Sequence, residues 1–325
     1  MTTATPHLLV EVDGRPATEA DLRLRALDTY GHFTALQIRD GRARGMDLHL
    51  ARLDAATREL FGTGLDGERV RAALRHALDG VRDASARVYV HERQDGPSDT
   101  GRTGDTTGTT GTTGTTDTTS TTGTGHARST TGGTDTTGTT STSTSTSTST
   151  STSTSTSTST STSLMVTVRP PAALDGRAQS LMSVPYLRPV PHIKHLGGFA
   201  QIHYGRLAER AGFDDALLTG PGGVVAEGAI ANIAFWDGDS VVWPDAPALT
   251  GITMALLEPR LPDAGLPSVR RRVTLADLPL FRAAFVTNSH GVAPVTRIDG
   301  TVLPGDPALL KTVTELYESV EWDRI

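Results

Sequence analysis

The sequence predicts an α+β protein with strand-rich halves and helices packed outside them. Short runs alternating apolar and polar residues recur from HLLVEVDG near the start to FVTNS near the end. Between them lie segments whose apolar residues fall at helical spacing. A Pro-rich stretch, VRPP (168–171) and then VPYLRPVPH (184–192), divides these elements into two groups.

The elements follow in order. HLLVEVDGRPA alternates and then turns at Asp13-Gly14, as an early hairpin does; GHFTALQIRDGRARG repeats the design with a turn at Asp40-Gly41. Asp47 is placed to cap a helix whose apolar stripe is Leu50, Leu53, Ala56 and Leu60. A second helix is expected over 67–81. ARVYVHE (86–92) and LMVTVRP (164–170) read as neighbouring strands. Beyond the prolines, a helix from 199 to 211 stops at Gly212. The strands DALLTG, VVAEG, ANIAFWDG and SVVWP follow, then a Gly-Ile-Thr turn into a helix, FVTNS, and a final helix over 307–320. The expected organisation is an N-terminal α/β domain (1–171), a connection (172–190) and a C-terminal domain (191–325).

Between the two neighbouring strands, residues 96–163 are almost wholly Thr, Ser, Gly and Asp. Such a segment cannot bury a core, so disorder is expected, as a low-complexity insert at a loop tip. Without it the apolar share rises from 36% to about 45%, as in a globular protein. A net charge of −6 gives a nucleic-acid partner no support. No apolar run reaches membrane-spanning length, and the first residues lack the pattern of a signal peptide, so a soluble cytoplasmic protein is expected. With no cysteine there is no disulfide, thiolate metal site or Cys nucleophile.

Of 30 Lys and Arg residues only Lys194 and Lys311 are lysine. Lys194 stands in PHIKHLGGFA, between His192 and His195 and before two glycines. A nucleophilic lysine must lose its proton, which a dry or cationic setting favours. Glu227, in GGVVAEGAIANIAFWDG (222–238), sits among apolar strand residues, where a charge is costly without a partner. TGITMALL (250–257) is a glycine turn opening a helix, with free amides for an anion. HLARL (49–53) sets His49 and Arg52 on one helix face, where Arg52 can grip a phosphate. TNSHGVAPV (287–295) offers Asn288 and Ser289 as further donors. His192 and His195 also allow a metal hydrolase to be considered; no carboxylate lies nearby in sequence, and Lys194 would repel a cation.

Taken in order, YGHFTALQIRDG, HLARL, IKHLGGF, the Glu227–Asn232 segment, LTGIT and TNSHGVAPV resemble the fold-type IV pyridoxal phosphate enzymes, the class IV aminotransferases. The resemblance implies the D-amino-acid aminotransferase-like fold, with a small N-terminal α/β domain and a larger C-terminal domain of barrel-like β structure. It implies a homodimer and a PLP-dependent transaminase moving an amino group between an amino acid or amine and a 2-oxo acid. Lys194 would form the Schiff base with pyridoxal 5'-phosphate, a role arginine cannot fill because it keeps its proton. Glu227 would hold the pyridine nitrogen. Arg52, the Ile252 and Thr253 amides with the Thr253 hydroxyl, and Ser289 or Asn288 would hold the phosphate, with Gly251 also among the cofactor-binding residues. Tyr30, Phe33, Phe199 and His290 would meet the substrate.

Two positions depart from the branched-chain aminotransferases of that family. Phe199 stands where they carry a tyrosine, and Met254 follows Gly-Ile-Thr where an arginine is frequent. FTALQIRDG and KHL resemble aminodeoxychorismate lyase, which releases pyruvate and 4-aminobenzoate. Lyase is therefore the alternative activity, and a catalytically silent binding protein of the same family the minor one.

Overall fold

A computed structural model describes residues 8–93, 161–172 and 176–325. The expectation of disorder for the Thr/Ser insert falls almost entirely outside these residues. Its last two positions, Thr162 and Ser163, already belong to a strand.

The first part of the chain runs β1 (Leu9–Val12), β2 (Arg15–Pro16), α1 (Glu19–Leu27), β3 (Gly31–Arg39), β4 (Arg42–Arg44), α2 (Met46–Phe61), α3 (Gly67–Ala77), β5 (Ala84–Glu92) and β6 (Thr162–Arg169). The hairpins turn where Asp13-Gly14 and Asp40-Gly41 take positive φ. Helix α1 escaped the sequence reading, although Thr18 and Asp21 hydrogen-bond reciprocally at its start. Alternation along β3, β5 and β6 puts Leu36, Ile38, Ala86, Val88, Leu164 and Val166 on one face, buried against α2 and α3. Phe33, Ala35, Gln37, Arg87 and Tyr89 share the other.

The second part runs β7 (Gln179–Pro185), α4 (Phe199–Arg210), β8 (Asp215–Gly220), β9 (Val224–Gly228), β10 (Asn232–Trp236), β11 (Val241–Pro244), α5 (Ile252–Leu257), β12 (Ser268–Arg271), β13 (Ala283–Asn288), β14 (Gly291–Ile298), β15 (Thr301–Val302), α6 (Pro307–Glu318) and β16 (Trp322–Arg324). Strands β7 to β14 form one sheet, ordered β12-β11-β10-β13-β14-β7-β8-β9, with β15 on β14. The sheet curls so that its end strand β9 comes back near β10, where Gly228 N–H donates to Ala231 O. Val225, Ile233, Phe235 and Val286 pack on one side of it, and Trp243 and Phe285 pack with α5 and α6 on the other.

Three expectations need correction. Residues 172–190 are more than a connection, because β7 lies within them and pairs with β8 and β14. The chain also returns after α6: β16 pairs with β4, making the first sheet β16-β4-β3-β5-β6-β1-β2. Asp47 does not cap α2. Gly45 occupies the cap position with φ 68° and no side-chain bond, while Asp47 lies inside the helix and pairs with Arg71.

Candidate active site

A cavity of about 190 Å³ lies where the polar face of β3 and β5 meets the turns of the second sheet. Lys194, Glu227, Arg52, Gly251, Ile252, Thr253, Asn288, Ser289, Phe33 and His290, far apart in sequence, all line it.

Lys194 is held through its backbone. Phe33 N–H donates to Lys194 O (2.9 Å), and Leu196 N–H donates to Gly31 O (2.9 Å), so the lysine loop adds to the start of β3. Gly31 is needed there, since a Cβ would fall 2.7 Å from Val90 O. The amine stands 4.9 Å from the centre of the Phe33 ring. Burial, with the charges of Arg52 and Arg188, pulls the Lys194 ammonium down from 10.5 to about 7. A large share of the amine is then neutral near pH 7.

Glu227 is 4% exposed on β9. Its Oε2 accepts from Leu249 N–H (3.2 Å), and Oε1 lies 3.7 Å from Arg188 Nε without a hydrogen bond. Burial pushes this carboxyl up from 4.5 to about 7, against the pull of Arg188. Arg188, which sequence reading missed, is buried and donates to Ile193 O (2.5 Å), tying the lysine loop to Glu227. Nothing in its Pro-rich surroundings marks it.

Helix α2 presents Arg52 and His49 to one hydroxyl. Arg52 donates to Thr34 Oγ1 (2.5 Å), and the Thr34 hydroxyl donates to His49 Nδ1 (2.6 Å). Burial holds His49 well below the usual histidine range, in keeping with a neutral ring. Opposite, Asn232 fastens the turn before α5 by donating to Leu249 O (2.6 Å) and accepting from Gly251 N–H (2.9 Å). A Cβ at Gly251 would lie 2.3 Å from Asn232 Oδ1, so only glycine fits. The first turn of α5 leaves its amides without intrahelical acceptors. The Thr253 hydroxyl, expected to face a ligand, donates instead to Asn288 O (2.6 Å), and Asn288 Oδ1 accepts from His290 N–H (2.8 Å). Thr287, one residue before the expected pair, lines the cavity with a buried hydroxyl that lacks a hydrogen-bond partner among the described residues.

Tyr30 and Phe199 are not brought to the cavity. Tyr30 precedes β3, is 56% exposed and meets Phe61 edge-on. Phe199 opens α4, is 79% exposed and stacks on His203 one turn along. The wall instead includes Gln37, Arg44, Arg87, Tyr317 and Trp322. Arg87 was legible in principle, being the polar member of the alternation ARVYV. His192 pairs with Glu59 (2.8 Å), while His195 Nε2 donates to Pro189 O (3.1 Å), so each is engaged separately. Among the described residues no three His, Asp or Glu side chains gather as a metal site.

The cavity carries five cationic side chains, Arg44, Arg52, Arg87, Arg188 and Lys194, against one carboxylate, Glu227. Among the described residues, four of the seven buried side-chain polar atoms without a hydrogen-bond partner belong to its lining: Arg52 Nε, Arg188 Nε, Glu227 Oε1 and Thr287 Oγ1. Such atoms are costly unless something meets them. Together they suit an anionic ligand that also presents a hydrogen-bond donor to Glu227.

A curled half-barrel beside a helix-backed antiparallel sheet, with a lysine at their junction, defines a fold-type IV enzyme architecture. The family model for aminotransferase class IV matches residues 130–298, and the chain belongs to that family. The fold is shared with a hypothetical aminotransferase from Mycobacterium tuberculosis solved in a PLP-bound form (19% identity, 96% of this chain and 98% of that one, TM-score 0.67). It is shared also with 4-amino-4-deoxychorismate lyase from Pseudomonas aeruginosa (22%, 96% and 99%, 0.67). A third is a branched-chain aminotransferase from Thermoproteus uzoniensis (17%, 95% and 93%, 0.68). No curated protein matches the chain. No helix among the described residues is long and apolar enough to cross a membrane.

Proposed function

We propose that the protein is a PLP-dependent aminotransferase acting on a carboxylate-bearing amino donor and a 2-oxo acid, with Lys194 as the catalytic residue. The observation that carries this is one cavity holding a lysine amine of depressed basicity and a buried carboxylate oxygen without a partner. Pyridoxal 5'-phosphate, when bound, supplies an aldehyde that condenses with amines and a protonated ring that takes up electrons from a breaking Cα–H bond.

The residues present fit that cofactor. Glu227 Oε1 is the free acceptor for a protonated ring nitrogen, and its negative charge holds the proton there. Arg52, Arg188, Thr287, Ser289 and the amides of Ile252 and Thr253 offer donors to a phosphate. Lys194 Nζ, neutral for part of the time near pH 7, would be the amine that holds the cofactor's aldehyde carbon and the group that carries a proton to and from substrate Cα. Arg87, centred on β5, has no acidic partner among the described residues and lies over Phe33 (5.8 Å), where it can meet a substrate carboxylate. The exposed Phe199 and Ile202 of α4 are apolar surface of the kind a second copy covers, as a homodimer requires.

Borohydride reduction of the holoenzyme followed by peptide mapping tests the assignment: the pyridoxyl group is expected on Lys194. A label on Lys311, or none with cofactor in excess, overturns it. Amino donors and aminodeoxychorismate are then assayed for keto-acid formation and 4-aminobenzoate release, which separates amino transfer from the lyase outcome.

A further inference from the structure

Helix α2 carries Arg52, yet it starts at a residue unable to cap it. Gly45 adopts φ 68°, and a Cβ there would lie 3.1 Å from both Ile252 and Leu256 of α5. The positive φ and the close seating of α2 on α5 therefore disfavour any capping side chain at this position. The first amides of a helix still need acceptors. Here the acceptor comes from the far end of the chain: Asp323 Oδ2 accepts from Met46 N–H at 2.8 Å.

Asp323 is well placed for this. It lies in β16, opposite Ala43 of β4, three residues before Met46. The strand is fastened from several sides. Arg71 and Arg75 of α3 donate to Arg324 O and Ile325 O. Arg44 donates to Val320 O and Glu318 O, with its guanidinium over the rings of Tyr317 (4.7 Å) and Trp322 (4.3 Å). A carboxylate at a helix N-terminus also complements the helix dipole. One turn into α2 lies His49, and Arg52 follows it, both joined to Thr34.

We infer that Asp323 is a positioning residue for the cofactor-phosphate end of the site, acting by capping α2 from the returning strand so that Arg52 stays at Thr34 and faces the cavity. The inference rests on the reading of Arg52 as a phosphate ligand given above. Loss of the cap lets the first turn of α2 fray, and the fraying reaches Arg52 before it reaches Lys194 or Glu227, which lie on other elements.

The test compares pyridoxal phosphate with pyridoxal, which lacks the phosphate, by spectroscopic titration of the full chain. Asp323→Ala is expected to weaken pyridoxal phosphate about five- to tenfold, as for a lost N-cap, and pyridoxal by less than about twofold. Asp323→Asn, whose amide oxygen can still accept from Met46, is expected to recover most of the loss. Asp323→Ala binding pyridoxal phosphate as tightly as the parent overturns the inference. Equal weakening of both ligands, or Asp323→Asn as weak as Asp323→Ala, overturns it as well, because each marks a general structural defect. Arg52→Ala is the control for the underlying reading: parental affinity for pyridoxal phosphate in that variant would remove Arg52 from the phosphate site, independently of Asp323.

Discussion

The two sheets supply the cavity in different ways. The first offers side chains from the middle of its strands: Phe33, Ala35 and Gln37 on β3 and Arg87 on β5, every second residue facing inward. The second offers strand ends and turns: Glu227 to Asn232, Leu249 to Thr253, and Thr287 to His290. Strand-borne side chains can be exchanged while the ladder fixes the backbone. Turn-borne groups include amides whose placement depends on Gly251 and on the Asn232 clamp. In the proposed enzyme the turns of the second sheet serve the unchanging cofactor, and the first sheet's strands serve substrate choice.

The sharpest way to break this division is a substitution on the second sheet. Glu227→Gln keeps shape and hydrogen bonding but removes the charge at the ring nitrogen. Turnover of the fully loaded variant is expected to fall by roughly 10²–10³, as when one electrostatic stabiliser is lost. Cofactor should still bind through Lys194 and the phosphate donors. Single-turnover rates measured beside cofactor occupancy check this; normal turnover would assign the ring nitrogen to another group.

On the first sheet the expected effect is smaller and of another kind. Arg87→Ala should raise KM for a carboxylate-bearing donor by about tenfold, the loss of one charged hydrogen bond, with kcat within about threefold. An equal fall in kcat at unchanged KM would move Arg87 from substrate binding into the chemical step, and the contrast between the sheets would fail. Steady-state kinetics with the donor found active decides between them.

Legibility in the sequence divides along the same line. Turn-borne groups come as contiguous motifs, so Glu227, the Gly251–Thr253 turn and Asn288–Ser289 could be read directly, although Thr287 is the member with the free hydroxyl. Strand-borne groups are spread by alternation, and Gln37 and Arg87 look like ordinary solvent-facing residues until the second sheet covers them. Tyr30 failed because the residue before a strand has no fixed face, and Phe199 because the first turn of α4 points it outward. Periodicity placed α2, α4 and α6 but missed α1 and ran α3 past Ala77, and it did not give the cap of α2. Asp47 satisfies the local rule, whereas the acceptor in use lies 277 positions away. Contacts made by a returning strand leave no local signal.

The cofactor-free protein should also show the second sheet's charge in its stability. Glu227 is raised to about 7 from 4.5, so the stability it contributes is full below pH 4.5 and lost as pH rises through 7. Lys194 is lowered to about 7 from 10.5, so its contribution is full above pH 10.5 and lost as pH falls through 7. Both place the least favourable balance near neutrality. Thermal melts of cofactor-free Glu227→Gln and parent should therefore agree near pH 4.5, with the variant gaining by several degrees at pH 8. A constant difference across that range would mean that Glu227 carries no raised pKa.

The smallest effect on activity is expected from the segment between β5 and β6. The two strands pair antiparallel up to Glu92 opposite Thr162, and Arg93 N–H donates to Ser161 O (2.7 Å), so the chain ends already stand as the two arms of a hairpin. Replacing them with a short Asn-Gly-containing turn should leave kcat/KM within about twofold, because Arg87 and its register with Ala35 are fixed by the ladder. Loop-closure entropy grows only logarithmically with length, so the shortened chain should gain at most roughly 2–3 kcal/mol. Melting curves and kinetics of the shortened protein check both statements. A large fall in kcat/KM with Tm unchanged or raised would show that the segment reaches the site, and that the first sheet supplies more than its strands.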